Sequence, residues 1–165
     1  GQGTCWMAIK TTDLCDDHAS ALRVMAPIFG NYGGRHGFSG TVETIKTFED
    51  NSQVRELLAE PGEGRVLVID GAGSLRCALI GDQMAARARD NGWSGLVVYG
   101  CVRDSADLAD LDIGIKALNT HPCKSEKNGV GEIGVKVTFA GVTITPGEWL
   151  CADRDGIVIA NEPLV

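Results

Sequence analysis

Short apolar runs alternate along the chain with stretches whose apolar side chains recur every three or four residues. Residues 11–25 have helical spacing: Thr12 or Asp13 is the expected cap, with Ala19, Leu22 and Met25 on one face. Five glycines between Gly30 and Gly40 predict loop, and the β-branched TVETIKTFE (41–49) predicts a strand. Asp50 can cap a short helix that turns Val54, Leu57 and Leu58 inward and ends at Pro61 and Gly62. VLVID (66–70) is apolar on successive positions, as in a strand buried on both faces. Gly71, Ala72 and Gly73 follow it. Gly81 to Asn91 suits a helix stopped by Asn91 and Gly92, then come a strand over 95–99 and a helix-like 104–110. VKVTFAGVTI (135–144) predicts a hairpin or meander, and GIVIA (156–160) a last strand. Strand–helix alternation followed by antiparallel β predicts a compact α/β domain with a mixed sheet.

Length and composition narrow the classes. At 165 residues the chain supports one domain with a sizeable core. Residues 1–6 read as a cloning remnant or a disordered start before Met7, leaving 7–165 as one domain. A net charge of −7 argues against a broad non-specific nucleic-acid surface, which needs clustered cations. No apolar stretch reaches the roughly 18 residues of a membrane helix, and no basic segment precedes an apolar one as in a secretory signal. The six cysteines are scattered, without C-x-x-C pairs or histidines at zinc-finger spacing. They read as reduced, mostly buried thiols of a cytoplasmic protein. Cys101 is expected to be an apolar filler rather than a nucleophile. His18, His36 and His121 are too dispersed to suggest a metal site or a Ser-His-Asp triad.

Three motifs bear on chemistry. GAGSLR (71–76) has Arg76 where a dinucleotide fingerprint needs its third glycine, and it lacks the G-K-[ST] of a P-loop. It reads as a turn needing positive φ. At Gly81-Asp82-Gln83-Met84 a helix would open with free backbone N–H groups, a place for a small anion unless Asp82 simply caps the helix. Arg103-Asp104-Ser-Ala-Asp107 follows a strand. One reading is a cap, with Asp104 at N-cap and Asp107 at N3. The other sets an oxygen ligand for Mg²⁺ or Mn²⁺ beside a cation that could stabilise an enolate.

A glycine, 21 residues and then R-D-x-x-D, here Gly81 to Arg103-Asp104 and Asp107, resembles the RraA family. So do FSGTVETIKTFEDN, VLVIDGAGSLRCALIGD, NGWSGLVVYGCVRD, LDIGIKAL and ADRDGIVIA, which together reach from about residue 11 to the end. That family includes the class II 4-hydroxy-4-methyl-2-oxoglutarate aldolases. The resemblance implies a three-layer swivelling α/β/α domain with a mixed central sheet, assembled as a homotrimer with sites at subunit interfaces. It implies a metal-dependent aldolase that releases pyruvate from small 2-oxo acids and decarboxylates oxaloacetate as a side activity. Residue by residue, Gly81, Asp82, Gln83 and Met84 match the segment that binds the substrate carboxylate. Arg103 matches the substrate-binding and catalytic arginine. Asp104 matches the metal ligand, and Asp107 a second one acting through water or from a neighbouring subunit. The alternative implied by the family's name is a protein partner, an RNase E-type ribonuclease that the chain would inhibit. Some relatives were first labelled menaquinone methyltransferases, but no S-adenosylmethionine loop is evident here.

Overall fold

The structure is a computed structural model that describes residues 8–165, so the expectation for residues 1–6 lies outside it. Helix α1 (Thr11–His18) runs through a 3₁₀ turn (Ala19–Ala21) into strand β1 (Leu22–Val24). Then come β2 (Gly30–Asn31), β3 (Phe38–Lys46), α2 (Ser52–Leu58), β4 (Val66–Asp70), β5 (Ala78–Ile80) and α3 (Asp82–Asp90). The chain continues through β6 (Gly95–Val102), α4 (Ser105–Leu108), β7 (Gly114–Thr120), β8 (Glu132–Ile133), β9 (Val137–Phe139), β10 (Val142–Ile144), β11 (Trp149–Asp153) and β12 (Gly156–Ala160).

The main sheet runs β1-β12-β11-β3-β4-β6-β7-β2. Its centre, β3-β4-β6-β7, is parallel, and both flanks are antiparallel. The expected mixed sheet is therefore present. It cannot be flat. Eight strands at their usual spacing would span about 34 Å, yet residues 25–29 alone join β1 at one edge to β2 at the other. That link reaches about 20 Å when fully extended. The sheet must curl, and its inner face holds Met25, Val42, Val66, Val68, Val97, Leu150, Ile157 and Ile159 under the β9–β10 hairpin. Helices cover the outside of both halves. Leu67, Ile69, Leu96 and Val98 meet α2 and α3, whereas Trp149, Cys151 and Val158 meet Leu14 of α1. These are the helical layers of the α/β/α arrangement, and β4 is buried on both faces as its run of apolar residues predicts.

Two polar devices hold the curl. Lys116 of β7 is buried, and its Nζ donates to the Asp153 carbonyl of β11 at 2.6 Å. Burial lowers its pKa, and Asp153 and Asp155 partly counter that. The Asp153 carboxylate accepts the Thr11 N–H at 2.8 Å and the Thr11 hydroxyl at 2.7 Å. Neither Thr12 nor Asp13 caps α1, because a strand 142 residues away supplies the acceptor. Burial alone would raise the Asp153 pKa, but the bonds from Thr11, Asp155 and Gly156 hold it low.

The helix expected over 11–25 stops at His18. Leu22 to Val24 pair instead with Ala160 to Val158 of β12, where the edge strand offers ladder partners to the backbone. Met25 then turns into the core. The glycine-rich 30–40 segment contributes β2 and the start of β3 as well as loop. Ala72 and Gly73 have φ of 59° and 70°, the positive-φ turn expected after β4.

The Phe38 ring lies across Gly95 of β6 and Gly114 of β7, where an added Cβ would collide with it. Gly114→Ala is therefore expected to destabilise the fold by about 1–3 kcal/mol through overpacking. Thermal unfolding of the variant beside wild type measures this, and an unchanged melting temperature would contradict it.

Candidate active site

Strand β5 takes up the place of β4 beside β6, with Ile80 in parallel register against Val102. The next residues emerge together, and the Arg103 N–H donates to the Ile80 carbonyl at 2.9 Å. Gly81 then opens α3, and Asp104 opens α4. The Gly81 and Arg103-Asp104 motifs thus meet at the carboxyl ends of adjacent parallel strands, where open α/β sheets present their ligand sites.

Asp104 adopts left-handed backbone angles, φ 58° and ψ 42°, which Asp tolerates better than most residues. Its carboxylate makes no capping bond to α4. Oδ2 instead accepts the Asp82 N–H of α3 at 3.1 Å. Of the two readings of Asp104, the cap of α4 is not met, since the side chain turns toward the neighbouring helix. Asp107 sits in the single turn of α4, exposed and outside the cleft lining. Gly81 supplies room rather than unusual angles. A Cβ there would lie 2.9 Å from Asp104 Oδ2 and 3.5 Å from Arg103 Nε.

Two of the first-turn amides of α3 expected to hold an anion, those of Asp82 and Gln83, already have partners. Asp104 accepts from Asp82, and the Asp82 Oδ1 accepts the Gln83 N–H at 2.8 Å. Crowding of carboxylates has a cost. Burial, the hydrogen bond with Asp104 and the charges of Asp104 and Asp107 raise the Asp82 pKa.

A cleft of about 170 Å³ joins Gly81, Asp82, Gln83, Met84, Arg103 and Asp104. It also takes in Asn51, Arg55, Lys124 and Lys127, which no motif had singled out. Residues 121–131 bring the two lysines in by folding back. The Ala78 N–H donates to Cys123, and the Asn51 N–H to Glu126. Asn51 is buried. Its Nδ2 donates to the Leu79 carbonyl at 3.1 Å, and its Oδ1 accepts Lys127 Nζ at 3.1 Å. Burial lowers the Lys127 pKa, and Arg55, Lys124 and Arg103 lower it further. Arg103 is half-buried and leans on the Pro122 carbonyl at 3.4 Å. Cys101 lies buried in β6, where burial pushes its thiol pKa up, as suits a filler.

The donor set fits a hard divalent cation. Asp104 presents a carboxylate into the space left by the missing Gly81 side chain, next to a second carboxylate of raised pKa. Among the described residues no three His, Cys, Asp or Glu side chains converge to hold a metal alone. Mg²⁺ commonly takes one or two carboxylates and fills its shell with water and substrate.

Residues 11–159 match the family model described as RraA-like, Aldolase/RraA. A protein of Alkalilimnicola ehrlichii, provisionally named 4-hydroxy-4-methyl-2-oxoglutarate aldolase, is 65% identical over 96% of this chain and 99% of its own. One of the same name from Halorhodospira halophila is 60% identical over the same shares. Among solved structures, the RNA-processing inhibitor RraA from Thermus thermophilis superposes with a TM-score of 0.92 at 45% identity, covering 96% of each chain. A Geobacillus kaustophilus protein named S-adenosylmethionine: 2-dimethylmenaquinone methyltransferase gives 0.93 at 46%, covering 94% of this chain and 97% of its own. Matched along nearly its whole length, the chain belongs to the RraA-like, aldolase/RraA family.

Proposed function

We propose that this protein is a divalent-metal-dependent aldolase that cleaves 4-hydroxy-4-methyl-2-oxoglutarate-type 2-oxo acids to pyruvate, with oxaloacetate decarboxylation at the same site. One observation carries the reading: Arg103 and the off-helix Asp104 carboxylate meet the N-terminus of α3 in one small cleft. Names of relatives 49–65% identical point the same way.

In the proposed reaction the C3–C4 bond of the substrate breaks as the C4 hydroxyl loses its proton. The bonding pair moves onto the 2-oxo group, and one molecule of pyruvate leaves. The remaining enolate takes a proton at C3 and becomes the second pyruvate. With oxaloacetate the same bond breaks and carbon dioxide leaves instead. Asp104 would hold a Mg²⁺ or Mn²⁺ ion, with Asp107 acting through water. When bound, that ion supplies Lewis-acid polarisation of the 2-oxo group. Arg103 places a planar guanidinium where negative charge develops on the enolate oxygen, a stabilisation that grows toward the transition state. The amides at the start of α3 orient the substrate carboxylate, which takes over from the side-chain acceptors now on them.

A second reading, inhibition of an RNase E-type ribonuclease, is favoured by the likeness to the Thermus RNA-processing inhibitor. It needs a docking surface and no chemistry at Asp104, so the next test separates the two.

Asp104→Ala should abolish Mg²⁺-dependent pyruvate release from oxaloacetate. The variant should still fold, melting lower because the bond to the Asp82 amide and the left-handed tolerance of Asp are both lost, together about 1–2 kcal/mol. Coupled-enzyme detection of pyruvate, with Mg²⁺ and with EDTA, on a preparation of known melting temperature checks this. Wild-type turnover in the variant would leave Asp104 only a cap for α3.

Gly81→Ala should act on turnover rather than on folding. The new methyl group displaces the Asp104 carboxylate without forbidding any backbone angle, since φ at Gly81 is −120°. A fall in kcat of about tenfold or more is expected, with a melting temperature within a few degrees of wild type. Steady-state kinetics and calorimetry check it, and unchanged kcat would show that the space beside Gly81 is idle.

A further inference from the structure

The returning segment 121–131, which carries Lys124 and Lys127 to the cleft, also sets one thiol beside another. The Ala78 N–H donates to the Cys123 carbonyl at 2.8 Å, and Ala78 forms a parallel bridge with Lys124. The peptide group joining Cys77 to Ala78 is thus bonded to the one joining Cys123 to Lys124. Cys77 and Cys123 stand level with each other, one residue before the bridge. The Cys123 N–H is tied as well, donating to His121 Nδ1 at 3.1 Å. Paired strands lie about 4.8 Å apart, and a disulfide needs Cα atoms roughly 4.4–6.8 Å apart. Residues level in parallel register turn their side chains to the same face. Cys101 pairs with Ala78 from the other side, out of step with Cys77, and is 1% exposed within β6. Cys123 is near enough to act on Cys77: burial raises the Cys77 thiol pKa, and Glu49, Cys101 and Cys123 raise it further against Arg76.

The two thiols differ in access. Cys123 is exposed, whereas Cys77 is buried. An exposed thiol meets a dissolved oxidant first, and a thiol poised beside it can resolve the product. We propose that Cys123 and Cys77 form a reversible dithiol, oxidised by hydrogen peroxide, whose disulfide braces the basic segment of the cleft. In the first step the Cys123 sulfur gives up its proton and attacks one peroxide oxygen. An S–O bond forms, the O–O bond breaks, and the departing oxygen takes the proton and leaves as water. In the second step the Cys77 sulfur attacks the sulfur of the Cys123 sulfenic acid. The S–S bond forms as the S–O bond breaks, and the hydroxyl leaves as water with the Cys77 proton. Two electrons pass from the thiols to the peroxide, and a dithiol reductant returns them by exchange. The disulfide closes residues 77–123 into a loop that contains Gly81, Arg103 and Asp104. It also pins Pro122, on whose carbonyl Arg103 leans, and Lys124 on the cleft wall. The dithiol is independent of what the cleft binds.

Treatment of the whole chain with stoichiometric hydrogen peroxide, and then with dithiothreitol, tests this. Non-reducing peptide mapping by mass spectrometry should find the Cys77 peptide joined to the Cys123 peptide, and dithiothreitol should separate them. Oxidation should raise the wild-type melting temperature by about 5 °C, the order expected for closing a loop of this length. Cys123→Ser should show no such rise. Tryptic cleavage after Lys124 and Lys127 should slow at least about threefold on oxidation, because the bridge opposes local opening of 121–131. Cys77→Ser should leave Cys123 as a sulfenic acid that dimedone captures, an adduct that wild type loses as its bridge forms. A purely structural Cys77 would not move that readout, and Cys77→Ala supplies it if the serine variant does not fold. Joining of Cys123 to any other cysteine would overturn the proposal. So would further oxidation of Cys123 in wild type without a bridge, or a Cys77–Cys123 bridge that leaves melting and cleavage unchanged.

Discussion

Parallel pairing of β5 with β6 brings two distant pieces of sequence to one point. Ile80 stands against Val102, so the residues that follow each strand have to share the same space. One of them is glycine and the other is an aspartate in the left-handed region. The missing Cβ at Gly81 admits the carboxylate, and the left-handed angles aim it at the α3 amides. A Cβ at Gly81 would stand 2.9 Å from that carboxylate, so one of the two would have to shift. The strand ends are fixed by buried neighbours on both sides, including Leu79, Ile80, Val98 and Val102. The site is therefore only as precise as the ladder beneath it, which is why a small domain can present charged groups reproducibly.

Curling of the sheet serves the same end. Because residues 25–29 tie the two edges together, the inner face becomes a closed apolar core, and the outer face is left to helices. Helices α2 and α3 pack on that outer face next to one another, which puts Asn51 and Arg55 opposite the N-terminus of α3. Lys116 and Asp153 sit at the far side of the curl and take no part in the cleft. They satisfy polar groups that closure would otherwise bury unpaired.

Much of this was legible from local pattern. The unbroken VLVID run could only be a strand covered on both faces, and the α3 start and stop at Gly81 and Asn91-Gly92 are local signals. The Gly81 and Arg103-Asp104 motifs are visible as residues, and the family resemblance ties them together without any geometry. What stayed hidden depended on distant partners. The cap of α1 is Asp153, and β1 exists because β12 runs beside it. Residues 19–25 keep a three-residue spacing that fits a helix equally well. Arg55, Lys124 and Lys127 have no periodicity or motif, and they reach the cleft only because 121–131 folds back along β5 and Asn51. Left-handed angles at Asp104 decide whether it caps its own helix, and no neighbouring residue announces them.

In the proposed reaction Asp104 would serve a bound cation as well as accepting the Asp82 amide. Asp104→Asn separates these roles within one side chain. It keeps an acceptor for the Asp82 amide and the tolerance for left-handed angles, and it removes only the charge. Electron paramagnetic resonance titration of Mn²⁺ against wild type and this variant measures the difference directly. Saturable binding in wild type, weakened at least tenfold in a variant that melts within a few degrees of it, is the result expected here. Equal affinity in both proteins, or no saturable binding in wild type, would contradict it.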